Sequence, residues 1–115
     1  MPSLREITEK LNLEVVSPSG FVDRTVTGGY AADLLSCAMK GAKKDDLWVT
    51  LQSHLNVVAV ASLLNLAGVI ITEGNQPDQE TVTRAEKEGV TLMTTSKTTF
   101  TVVGELAFLG VSGKA

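Results

Sequence analysis

Gly68-Val-Ile-Ile-Thr72 is an unbroken β-branched run. A strand with one wet face alternates apolar and polar residues. A run without alternation predicts a strand covered on both faces, as in a parallel sheet. Working outward, Asp46-Leu-Trp-Val-Thr-Leu51 is a second strand rich in β-formers, and Val90-Thr-Leu-Met-Thr94 is another. Leu13-Glu-Val-Val16 reads as a short strand, stopped by Ser17-Pro18-Ser19-Gly20.

Helical patterns separate these runs. Ser3 and Glu6 form a capping box ahead of Leu4, Ile7 and Leu11, which share one face. Tyr30 to Met39 has helical spacing, with Tyr30, Leu34, Leu35 and Ala38 on one side and Gly41 closing it. Residues 56–66 fit either a buried strand at Val57 to Ala61 or a helix. Length, several Ala and Leu, and Ser53 as cap favour the helix. It is apolar almost all round, so it is either the centre of the domain or covered by another chain. Pro77 and Asp78 open a polar helix that Gly89 ends. Residues 98–109 form a last one, with Phe100, Val103 and Ala107 on one stripe. Strand–helix alternation with β-branched strands predicts a small three-layer α/β/α sandwich, its mainly parallel sheet holding four to five strands. One domain spans 1–115, and the last few residues read as a loose tail.

Composition narrows the function. The chain has 115 residues, 43% apolar and 20% charged, with 4% aromatics, so Leu, Val, Ile and Ala build the core. Net charge is −3, and the densest basic run, Lys40 to Lys44, runs straight into Asp45 and Asp46. That pattern is a solvated helix end and argues against nucleic acid. No apolar segment is long enough to span a bilayer, which leads to the expectation of a cytoplasmic protein without membrane contact. The lone Cys37, among Leu34, Leu35, Ala38 and Met39, reads as a small core residue. No Gly-x-x-x-x-Gly-Lys loop and no ligand-spaced His, Cys or carboxylate set is present, so neither cofactor nor metal is expected.

In a parallel sheet, ligands sit beyond the carboxyl ends of the strands. Taking those ends in turn places Asp23, Arg24, Thr25, Thr27, Gly28 and Gly29 after the first strand. Gln52, Ser53, His54 and Asn56 follow the second, Glu73 and Asn75 the third, and Thr95, Ser96 and Lys97 the fourth. Gly28 and Gly29, just ahead of a helix start, suit close approach of an anion, with Arg24 forking onto it and Asp23 orienting Arg24. The plainer alternative has Thr27 capping the helix, the glycines turning the chain and Asp23 pairing with Arg24. His54, at a helix start, is expected as a neutral, hydrogen-bonding imidazole. With Gln52 and Asn56 it looks like a reader of a polar surface. Ser53 is a cap before it is a nucleophile, and Trp48 belongs to the core. Catalysis by His54 with Asp23 or Glu73 would need hydrogen-bond contact across a pocket. It ranks last, so the chain reads as a binding or regulatory domain and not an enzyme.

Asp23-Arg24-Thr25 followed by Gly28-Gly29 resembles the DRTGG domain family. Tyr30-Ala-Ala-Asp-Leu-Leu-Ser36, the block from Leu47 to Ala61 and Gly68 to Thr72 are similar to family members as well. The resemblance implies a fold like the N-terminal domain of HPr kinase/phosphorylase. It also implies a regulatory role where relatives sit beside CBS or phosphotransacetylase domains, a tendency to dimerise, and no catalytic residues to carry over. Two functions are therefore in view. One is a sensor binding a nucleotide or other small anion between Gly28-Gly29, Arg24 and the Gln52–Asn56 loop. The other is an interaction module, a homodimer or the mate of a regulatory protein partner, joined through the polar edge and the 56–66 helix.

Overall fold

The computed structural model describes residues 1–113. At its centre lie β3 (Asp46–Thr50) and β4 (Gly68–Ile71), every residue of both buried. They run parallel, Leu47 level with Gly68, as the β-branched run at 68–72 predicts. Beside β4 is β5 (Leu92–Thr94), also parallel, and beside β3 is the edge strand β2 (Gly28–Ala31), parallel with Gly28 level with Asp46. At the far edge β1 (Glu14–Val15) pairs antiparallel with β5. The order across the sheet is β1-β5-β4-β3-β2.

The parallel strands thus follow one another in sequence, always stepping in the same direction. Right-handed crossovers then put every connecting helix on one face. These are α2 (Leu35–Gly41), α3 (Leu55–Leu64) and α4 (Gln79–Glu88). Because side chains alternate along a strand, Trp48, Val69, Ile71 and Leu92 meet Ala38, Val57, Val58 and Ala85 on that side. Leu47, Val49, Ile70 and Met93 point the other way, onto Leu4 and Ile7 of α1 (Leu4–Lys10) and Val102 and Leu106 of α5 (Thr99–Phe108). Trp48 is fully buried, its indole N–H donating to the Ala32 carbonyl at 2.8 Å. The outcome is the three-layer α/β/α arrangement, with α3 in the middle of its layer between α2 and α4. The all-round apolar character of α3 therefore reflects a central place in the domain. Among the described residues no helix is long and apolar enough to cross a membrane.

Four expectations change. The 30–39 segment is not one helix: Gly28–Ala31 is β2, and α2 begins only at Leu35. Glycine has little intrinsic strand preference, so β2 exists through pairing with β3 and carries no local signal. On α5 the stripe of Phe100, Val103 and Ala107 faces outward, and Val102 and Leu106 form the buried edge. Cys37 is half-buried and not core. Within the expected loose tail, Val111 is buried and the Ser112 carbonyl accepts the Gly29 N–H at 3.2 Å, whereas 114–115 lie outside the described residues.

Candidate functional site

The antiparallel course of β1 decides where the Asp23–Gly29 segment goes. The chain leaves β1 at the amino end of the parallel strands, runs beneath the sheet, and enters β2 from that same end. Gly28 is therefore level with the first residue of β3. Gln52, His54 and Asn56 lie past the last one. At about 3.3 Å per residue, β3 alone separates the two groups by about 13 Å. The single cleft uniting Gly28, Gly29 and Arg24 with Gln52, His54 and Asn56 is not formed.

At the amino end the segment is stitched into the fold. Leu4 N–H donates to the Arg24 carbonyl (2.8 Å) and Val26 N–H to the Pro2 carbonyl (2.9 Å), with Ser3 and Thr25 bridged antiparallel between them. Asp23 Oδ1 accepts from the Arg5 N–H at 3.0 Å, near the first turn of α1, and does not pair with Arg24. The Arg24 guanidinium instead grips Asp45 through Nε (2.9 Å) and a terminal nitrogen. It also donates to the carbonyls of Leu66 (3.2 Å) and Asn65 (3.1 Å). Asp45 (φ 68°) and Asn65 (φ 54°) both stand in left-handed turns, so one side chain clamps the entry to β3 onto the end of α3. Thr27 N–H donates to the Asp45 carbonyl at 3.1 Å. Gly28 and Gly29 precede no helix start, so no cluster of free helical N–H groups faces them. This corrects the anion-loop expectation: the fork is engaged and the glycines are strand residues.

The carboxyl end is different. Asp33 Oδ1 accepts from Thr50 Oγ1 and from the Leu51 N–H, both at 3.0 Å, tying the β2 exit to the β3 exit. Gln52 N–H donates to Thr50 Oγ1 at 3.1 Å. His54, not Ser53, caps α3: its Nδ1 accepts from the Asn56 N–H at 3.4 Å. Asn75 Nδ2 donates to the Leu51 carbonyl at 2.6 Å, drawing the β4 exit loop alongside. Asp78 caps α4 through the Thr81 N–H at 2.9 Å. Those bonds to Thr81 hold the Asp78 carboxyl below its ordinary value; burial opposes them, and the nearness of His54 adds the least.

Two adjoining depressions result. One, of about 450 Å³, is lined by Gln52, Ser53, His54, Asn75, Gln76 and Asp78 among others. The other, of about 350 Å³, has Asp33, Leu34, Gln52, His54 and Asn56 on its walls. Gln52 and His54 belong to both and form the ridge between them. Among the described residues, no lysine or arginine lines either. The remaining rim residues are taken up by the fold: Glu73 accepts from the Thr99 N–H (2.8 Å), and Lys97 pairs with Glu105 (2.9 Å). Neither hydrogen bond of His54 and Glu73 joins the two, and Asp23 is at the opposite end, so the acid–base pairing that catalysis would need is not assembled. Asp33, Gln76 and Asp78 are site residues that sequence reasoning missed. An Asp two residues before Leu35, where a helix interior disfavours it, was the available signal for a turn at Asp33.

Fold and rim together define a small α/β/α domain with a polar, amide-rich surface at the carboxyl ends of its parallel strands. The chain belongs to the DRTGG domain family, whose model matches residues 6–107. Among solved structures it is similar to the CBS and DRTGG domains of the regulatory region of Clostridium perfringens pyrophosphatase, complexed with its activator, diadenosine tetraphosphate. The TM-score is 0.68 at 20% identity, over 88% of this chain and 44% of that one, so this chain spans less than half of that structure. No curated protein matches the chain significantly.

Proposed function

We propose that this DRTGG domain is a non-catalytic, ligand-sensing regulatory domain that takes a small polar ligand at the rim around Gln52, His54 and Asn56. The observation that carries this reading is the pair of depressions sharing Gln52 and His54. Amide and imidazole groups there present directed donors and acceptors, and no lysine or arginine among the described residues lines the site. Such a lining suits the edge of a nucleobase or ribose better than a bare phosphate, which calls for an arginine fork or a free helix N-terminus. The adenosine-containing activator of the Clostridium perfringens neighbour makes adenosine compounds the first to try.

Thermal unfolding with adenosine, AMP, ATP and diadenosine tetraphosphate tests the reading. A ligand at a hundredfold excess over its Kd stabilises by about 2.7 kcal/mol, which raises Tm by several degrees. The rise should vanish in Gln52→Ala and His54→Ala but persist in Arg24→Ala. No rise with any compound, or a rise that survives both rim substitutions, overturns it.

We also propose that the chain associates with itself as a homodimer. The favouring observation is the run of exposed apolar side chains on α5, not the 56–66 helix, which α2 and α4 flank.

A further inference from the structure

The outer face of α5 carries Phe100 (88% exposed), Val103 (40%), Gly104, Ala107 and Phe108 (91%). At 3.6 residues per turn and 1.5 Å rise, Gly104 lies opposite the buried Val102–Leu106 edge. Phe100 and Phe108 then stand about 40° to either side of Gly104, and about 6 Å before and after it along the axis. The face is therefore close to symmetric about Gly104. Grooves of about 450 and 420 Å³ flank it, the first against Lys10 and Leu11, the second against Tyr30 and Ala31 of the β2 edge.

Gly104 itself needs a reason. It sits mid-helix, where glycine is disfavoured relative to alanine. Its φ is not positive, and a Cβ there would meet nothing within 4 Å. Nothing among the described residues calls for glycine there. A second helix crossing at that point does, because a missing side chain lets two backbones approach.

We infer that α5 is the seat of self-association: two copies cross antiparallel, with the two-fold axis passing between their Gly104 residues. This rests on the homodimer reading and adds its location and register. The axis turns +6 Å on one helix into −6 Å on the other, so Phe108 of one copy meets Phe100 of the second, and the pair occurs twice. Residue i touching j while j touches i is what an isologous interface demands. Four phenyl groups, each holding roughly 150 Å² or more, bury about 600 Å² of the roughly 1,200 Å² a specific interface needs. Val103, Ala107 and the groove walls supply further area. Charge offers no obstacle: the one ionic residue of α5, Glu105, is neutralised by Lys97 at 2.9 Å.

Sedimentation of the 115-residue chain from 1 to 200 μM tests this, with Trp48 fluorescence and circular dichroism reporting that each variant is folded. Phe100→Asp and Phe108→Asp should each raise the dimer dissociation constant at least tenfold. Leu63→Asp, also largely exposed at 71% but on α3 in the opposite layer, should leave it unchanged. Gly104→Ala should raise the Tm of the monomer at the lowest concentrations while weakening the dimer. A wild-type chain monomeric throughout sinks both the homodimer and this interface. A dimer that survives the Phe100→Asp/Phe108→Asp double substitution sinks the interface alone. Binding of the α5 face to lipid vesicles by a chain that stays monomeric would likewise overturn it.

Discussion

Arg24 and Asp23 are adjacent in sequence and serve different ends of the fold, one clamping Asp45 and Asn65, the other holding the first turn of α1. Nε and one terminal nitrogen of the Arg24 fork reach the Asp45 carboxylate, while the terminal nitrogens also reach the carbonyls of Asn65 and Leu66 at the end of α3. A lysine, a single point charge on a flexible stem, cannot span that set. Arg24→Ala is expected to destabilise by about 2–3 kcal/mol, the range for losing charged hydrogen bonds in a partly buried setting. Arg24→Lys should recover only a fraction. Urea unfolding followed by Trp48 emission measures both, and a lysine variant as stable as wild type would refute the clamp. The Asp and Arg were legible as a pair of charged residues beside glycines. Their partners were not, because Asp45 and Asn65 are brought to Arg24 by sheet pairing that no local pattern records.

At the level of elements, α4 is the clearest case of a helix announced by its termini. Asp78 stands at one end and Gly89, in the left-handed region at φ 68°, at the other. The depressed pKa of Asp78 makes its cap pH-dependent with a definite sign. The carboxylate contributes stability above its unfolded pKa of 3.8, and that contribution is lost as pH falls through the lower folded value. Asp78→Asn keeps a cap but does not titrate. It should match wild type near pH 7 and lose less stability between pH 4 and pH 2 in acid unfolding. Superimposable acid limbs would show that Asp78 is not a source of the slope. By contrast β2 could not have been read from Gly28-Gly29-Tyr30-Ala31, since neither glycine favours a strand. The ring of Tyr30 lies where a Cβ on Gly41 would be, so the glycine expected merely to close α2 also makes room for the edge strand.

For the whole molecule, the layers were legible because β3 and β4 are fully buried and their β-branched, unalternating residues say so. The placement of the DRTGG segment was not, because it depends on β1 running opposite to β5, a property of pairing and not of composition. Cooperative stability should follow the same map. Amides of Val49, Val69 and Ile70, in strands paired on both sides, should exchange hydrogen only with global unfolding. Those of β2, paired by strand on one side only, should exchange about 100-fold faster. Uniform protection across all four parallel strands would contradict this.

One consequence of strands that always step the same way concerns the geometry of occupancy. Where strand order reverses, neighbouring loops part to opposite faces and open a crevice with two walls. Here no reversal occurs, and the exit loops form a terrace. On the proposed reading, a ligand beside His54 would keep one flank in water and depart without any segment having to swing aside. Affinity tuned chiefly by departure rate would then be modest, and the bound fraction would track a fluctuating concentration without lag.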